Sequence, residues 1–411
     1  MIDPITRRTA LVGLAAFVAG PAHAQTPSSQ SQDPTMAATS FTIDIPDEVI
    51  QDLKNRLAAT RLPDQIDGSG WSYGTDTAWL SELLAYWASD YDWPAAQARL
   101  NAFDNFKAAI DGLDIHFIHA RSDHADAVPL LMLHGWPSSF VQMLDIIPLL
   151  TQPVDDGPAF HVVAASLPGY GFSGIPTSPG MSPGAIAPYM HTLMTDVLGY
   201  DRYGLRSSDL GAGVAAPMAG TYADAVIGSH TGGTNPYLQG PIPDDLTEEE
   251  QTFAQNAQNW MQQEMAYAML QSSKPQTLAV ALNDSPAGLA SWILEKFWRW
   301  TDHDGDLTTV IDRDALLTNL TIYWATQTIN PSMRLYAEAV RAQGGWTMPQ
   351  VPVGYLMPDN DMFRTPRSWI ERQGPVAHWT VAAKGGHFME WEQPQVVADD
   401  LRLFFGALGQ R

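Results

Sequence analysis

Hydrophobic positions along this chain fall into two alternating rhythms: short apolar runs and longer stretches with helical spacing. Residues 41–45 alternate like a strand, and a helix begins near Pro46, with Leu53 and Leu57 one turn apart. Two more helical patterns cover 77–89 and 93–102. From Phe106 the pattern changes to strands. Residues 115–119 form one, 128–133 read as a near-continuous buried parallel strand, and 161–167 form another. Helical stretches at 140–150 and 185–198 lie between and after them. Such alternation predicts an α/β fold built on a doubly wound, mostly parallel sheet. After Val226 the rhythm breaks into helical segments at 247–271, 275–282, 286–301, 312–326 and 333–342. Strand patterns return at 351–357 and 379–383, and 394–408 closes the chain as a helix. The expected organisation is an N-terminal helical extension (41–110), a core in two parts (111–235 and 346–411), and an inserted helical cap (236–345). There is no internal repeat.

Composition supports a globular chain: 411 residues, 45% hydrophobic and 16% charged. A net charge of −23 argues against a nucleic-acid partner, which needs a basic surface. The absence of cysteine excludes disulfides, thiolate catalysis and cysteine-held zinc. At the N-terminus, Arg7-Arg8 precede an apolar run over 10–19 and a small-x-small site at Ala22-His23-Ala24. This predicts a twin-arginine-like export signal over 1–24, a periplasmic or secreted protein, and a disordered polar linker over 25–40. The run is shorter than the roughly 20 residues a membrane span needs, so no stable anchor is expected.

Candidate chemistry centres on residues 203–215. A strand pattern passes through Ser207-Ser208-Asp209-Leu210-Gly211 into an Ala/Gly-rich helical run. Small residues two before and two after Asp209 are what a sharp strand-to-helix turn requires if it is to expose one side chain. An aspartate there can attack carbon and form an ester; it can equally be a helix N-cap. Ser207 and Ser208 are alternative nucleophiles without that spacing. His134-Gly135-Trp136-Pro137 ends the first strong strand. The Trp136 and Leu210 backbone N–H groups are candidate oxyanion donors, and His134 reads as structural before it reads as a base. Gly169-Tyr-Gly-Phe-Ser-Gly174 fits a dinucleotide fingerprint, but the proline-rich stretch after it cannot supply the required helix. Residues 302–306 resemble a calcium loop with misplaced glycine and acid, and read as a solvated charged loop. Asp361, with Asp359 as the lesser choice, and His387 after the last strand complete the order nucleophile, acid, base.

His134-Gly-Trp-Pro137, residues 167–174, Ala281-Leu-Asn-Asp-Ser-Pro-Ala-Gly-Leu289, Leu316-Leu-Thr-Asn319 and Gly385-Gly-His-Phe388 together resemble the microsomal-type epoxide hydrolases. That family has an α/β-hydrolase fold with an N-terminal extension, which residues 41–62 also resemble. The resemblance implies Asp209 as nucleophile, His387 as the group that activates water, Asp361 as its orienting acid, and Tyr336 and Tyr267 as epoxide-binding phenols. It implies a small-molecule apolar epoxide and water as reactants, with no metal or organic cofactor. One departure stands out: many relatives carry Gly-Gly before the Asp and Trp after it, where this chain has Ser207-Ser208 and Leu210. The same Asp and His would serve a haloalkane dehalogenase, and a fold-retaining, non-catalytic binding protein is the third reading.

Overall fold

In the computed structural model, described for residues 37–152, 157–233, 243–342 and 348–409, nine strands form one sheet. In chain order they are β1 Thr39–Ser40, β2 Asn105–Ile110, β3 Leu113–Ala120, β4 Val128–Leu133, β5 Phe160–Ala165, β6 Tyr203–Ser208, β7 Val226–Gly232, β8 Val353–Pro358 and β9 His378–Ala382. Their order across the sheet is β1-β2-β3-β5-β4-β6-β7-β8-β9. β4 to β9 run parallel, and β1 to β3 form an antiparallel edge. The expected export signal (1–24) and most of the expected linker (25–40) lie outside the described residues.

Several local expectations shift, each for a physical reason. Residues 41–45 do not form a strand ladder. Pairing with β2 falls on Thr39–Ser40, and the extended segment that follows is satisfied by side chains: Ile43 N–H donates to Asn101 Oδ1 and Ile45 N–H to Gln97 Oε1. β2 and β3 form a hairpin through Asp111 and Gly112, both at positive φ, the geometry a two-residue turn needs. β7 escapes a hydrophobic reading because Ser229, His230 and Thr231 occupy its centre. His230 can be buried there because Arg206 donates to its Nδ1 and Asp400 accepts from its Nε2.

Three helices of the extension, Asp47–Ala58, Thr77–Ser89 and Trp93–Asn101, support the cap as well as the core. Trp87 Nε1 donates to Thr321 Oγ1, and the Tyr91 hydroxyl pairs with that of Thr318. Both partners sit on the cap helix Arg313–Thr326, whose residues 315–324 are all buried, as expected of a helix enclosed on every side. The long helix expected over 247–271 breaks at Met265 into Glu248–Glu264 and Ala266–Ser273. The cap helix expected from residue 333 begins earlier, spanning Ile329–Arg341, with Pro331 in the first turn where a missing N–H costs nothing. No helix among the described residues is long and apolar enough to cross a membrane.

Candidate active site

The turn from β6 into the helix Asp209–Thr221 places Asp209 at φ 48°, left-handed geometry that a non-glycine residue adopts only under constraint. Two close approaches supply it. A Cβ at Gly211 would strike the Leu133 and His134 carbonyl oxygens, and one at Gly135 would strike the Asp209 side chain. The strained residue is thus Asp209 and not a serine: Ser207 is buried at the strand end, and Ser208 is the residue before the helix. Its side chain does not cap that helix. Asp209 Oδ1 accepts the Trp136 N–H at 2.9 Å. The Leu210 N–H lies in the first helical turn, where no carbonyl of the helix can reach it.

His387 stands opposite. Its Nε2 is 3.4 Å from Asp209 Oδ2 and makes no hydrogen bond within the protein, and its Nδ1 is 3.0 Å from Asp361 Oδ1. Asp361 is fixed in turn by the Met362 N–H at 2.6 Å. The alternative acid, Asp359, pairs with Arg364. Burial alone would push the His387 pKa down, but Asp361 and Asp209 outweigh it and raise it to about 10.

Two phenols from the cap complete the site. Tyr267 stacks on Trp136, with ring centroids 5.4 Å apart, while Tyr336 meets Trp136 edge-on at 6.0 Å. The Tyr336 hydroxyl is hydrogen-bonded to Tyr267; burial first, then Tyr267 and Asp209, keep this phenol protonated well above its usual range. Asp209, His387, Asp361 and both tyrosines line one cavity of about 450 Å³. Its other walls include Leu210, Trp260, Met265, Met362 and Val351, so the reacting groups face mostly apolar surface. The structure thus brings Asp209, His387, Asp361, Tyr267 and Tyr336 together, with the Trp136 and Leu210 backbone at the same turn.

Other motifs find structural uses. His134 is fully buried, with Nδ1 3.0 Å from the Gly135 carbonyl and Nε2 accepting the Leu167 N–H; burial lowers its pKa to about 4. The glycine-rich stretch at 169–174 packs under the helix that carries Tyr336. Gly169 leaves room for Pro331, and the Tyr170 hydroxyl donates to the Ser332 carbonyl. Likewise Asn319 and Tyr323 donate to the Pro137 and Ser138 carbonyls and pin the Trp136 turn to the cap. In the calcium-like loop, Asp304, Gly305 and Asp306 are exposed, but Asp302 is not simply solvated: its Oδ2 accepts the Gly385 N–H beside His387.

Sequence reasoning missed a buried polar network beneath the site. Arg206, three residues before Asp209, bonds Glu390 Oε1 at 2.8 Å and His230 Nδ1 at 2.9 Å; Gln142 also donates to Glu390, and His230 and His378 both reach Asp400. The trio His230, His378 and Asp400 has the spacing of metal ligands. The guanidinium decides otherwise. It can only donate, so His230 Nδ1 accepts, and Nε2 must carry the proton that goes to Asp400. A protonated Nε2 cannot bind a metal.

Fold and site define an α/β-hydrolase whose nucleophile position holds a carboxylate and whose cap offers two phenols. The sequence model described as "Epoxide hydrolase N terminus" matches residues 38–143, and that of the "alpha/beta hydrolase fold" matches 128–327. Epoxide hydrolase 1 of Sus scrofa is 35% identical, covering 90% of this chain and 89% of its own. The crystal structure of the juvenile hormone epoxide hydrolase of Bombyx mori superposes with a TM-score of 0.81 at 32% identity, covering 92% of this chain and 95% of that one. The Aspergillus niger epoxide hydrolase gives 0.81 at 31%, covering 91% and 97%. The chain belongs to the epoxide hydrolase family and is an enzyme.

Proposed function

We propose that this enzyme opens an apolar epoxide to a vicinal diol through a covalent ester on Asp209. The observation that carries the reading is the division of labour between the two Asp209 oxygens. Oδ1 is held by the Trp136 N–H, so it becomes the carbonyl oxygen of the ester; Oδ2 is the oxygen that attacks a ring carbon. As the C–O bond of the ring breaks, the developing alkoxide takes a proton from the Tyr336–Tyr267 pair.

Ester formation then alters His387. In the resting site His387 is a cation between two carboxylates. Esterification removes the charge of Asp209, so the pKa of His387 falls. The proton it loses replaces the one given up by the tyrosines. Neutral His387, oriented by Asp361, now takes a proton from water as that water attacks the ester carbonyl. The oxyanion forms against the Trp136 and Leu210 N–H groups, each contributing about 3 kcal/mol by comparison with known oxyanion holes. On collapse the departing alkoxide takes the second water proton from the new Asp209 hydroxyl, giving the diol, the Asp209 carboxylate and a protonated His387, so charges and protons return to their starting state.

The test is a single turnover in heavy-oxygen water. Label should enter the Asp209 carboxylate and be absent from the first diol released. Label in that first diol would exclude the ester.

A further inference from the structure

The segment carrying His387 is tied down from one direction by a side chain that takes no part in the steps above. Glu392 lies five residues later, at the C-terminal end of the short helix Met389–Glu392, with its carboxylate buried. Its Oε1 accepts the Phe388 N–H at 2.8 Å, and its Oε2 accepts the Gly386 N–H at 2.7 Å. These two N–H groups flank His387 on either side. The same Oε2 accepts a third, from Asp302 at 2.9 Å, just beyond the end of the cap helix Pro286–Trp300.

That helix end meets the histidine directly. His387 N–H donates to the Trp300 carbonyl at 2.8 Å, and Gly385 N–H donates to Asp302 Oδ2 at 2.9 Å. Gly386 can come this close because a Cβ there would strike the Trp300 carbonyl oxygen. The Trp300 ring packs against both His387, at 5.4 Å, and Tyr267, at 5.3 Å. One carboxylate therefore joins the backbone on both sides of the base to the cap helix that supports a phenol.

We infer that Glu392 is a positioning residue for His387, fixing the imidazole against the ester carbonyl through these three backbone hydrogen bonds. A buried carboxylate is costly to hold unless its oxygens are bonded, and here all its partners are the segments that must be kept in register. Burial pushes its pKa up to about 7, while the three N–H donors pull the other way.

This inference rests on the two-step mechanism, which also supplies its test. His387 acts in ester hydrolysis and not in ring opening, so a displaced imidazole slows only the second step. In Glu392→Gln, which keeps one acceptor oxygen, kcat should fall by roughly 10- to 100-fold, as a misplacement near 1 Å can cause. KM should fall with it, and quenched reactions should show alkylated protein accumulating by mass. Glu392→Ala should show the same pattern more strongly. If either variant folds poorly, Asp302→Ala removes only the Gly385 tether and should move kcat and KM together by a smaller factor. Equal losses in kcat and kcat/KM, a raised KM, or unchanged kinetics would each overturn the inference. If the wild type itself never forms the ester, the mechanism fails instead, and the two failures are distinguishable.

Discussion

The two walls of the cavity are built on different physics. The sheet side places Asp209, Asp361 and His387 by backbone constraint and charge: a left-handed turn, close carbonyl contacts that leave no room for a Cβ, and a histidine held between two carboxylates. The cap side places Tyr267 and Tyr336 by aromatic packing on Trp136 and Trp300, with Lys296 Nζ 4.8 Å above the Tyr267 ring. Charged groups that exchange protons and bonds need fixed distances. Phenols proposed to hold the substrate oxygen and lend it one proton can sit on a packed but adjustable lid. Loss of a sheet-side group should therefore abolish a chemical step, whereas loss of a cap-side group should only weaken one.

The sharpest way to break that contrast is Asp209→Ala. Diol formation should fall by about 10⁵-fold or more, the scale seen when a covalent nucleophile is removed, with folding intact by thermal melt. Next is His387→Gln. Turnover should fall by roughly 10⁴-fold, comparable to other disabled base assemblies. The protein should nevertheless gain the mass of one substrate on Asp209, because ring opening needs no base. Tyr336→Phe and Tyr267→Phe should each cost about 10²-fold in kcat/KM, the scale of one lost oxyanion donor. Neither should trap an intermediate, which separates the two walls by mechanism as well as by size. The mildest change concerns charge alone. In Asp209→Asn, one of the two carboxylates raising His387 is gone, so its NMR titration should move down from about 10. An unmoved titration would mean that the Asp209 charge does not control the base.

The line between legible and illegible features follows the range of the interactions. The alternation of apolar runs and helical spacing predicted the parallel strands β4, β5, β6, β8 and β9; for β4, β5, β6 and β8, burial leaves a local apolar signature. β7 stayed hidden because His230 is satisfied by Arg206 and Asp400, partners 24 and 170 residues away. Asp361 and His387 could be read from their places after strands. Glu392 and Asp302 could not, since a Glu on a short helix and an Asp in an acidic loop carry no mark of the backbone N–H groups they meet.

By itself, then, the sequence determined the elbow, since small residues around Asp209 are a local steric demand. It also determined the family. Only the tertiary structure decided that Asp209 is not the cap of that helix. Its side chain bonds the Trp136 N–H across the turn and faces His387, and it leaves the helix that follows uncapped. That choice depends on segments 73 and 178 residues distant meeting at one edge of the sheet, and no local pattern encodes such a meeting.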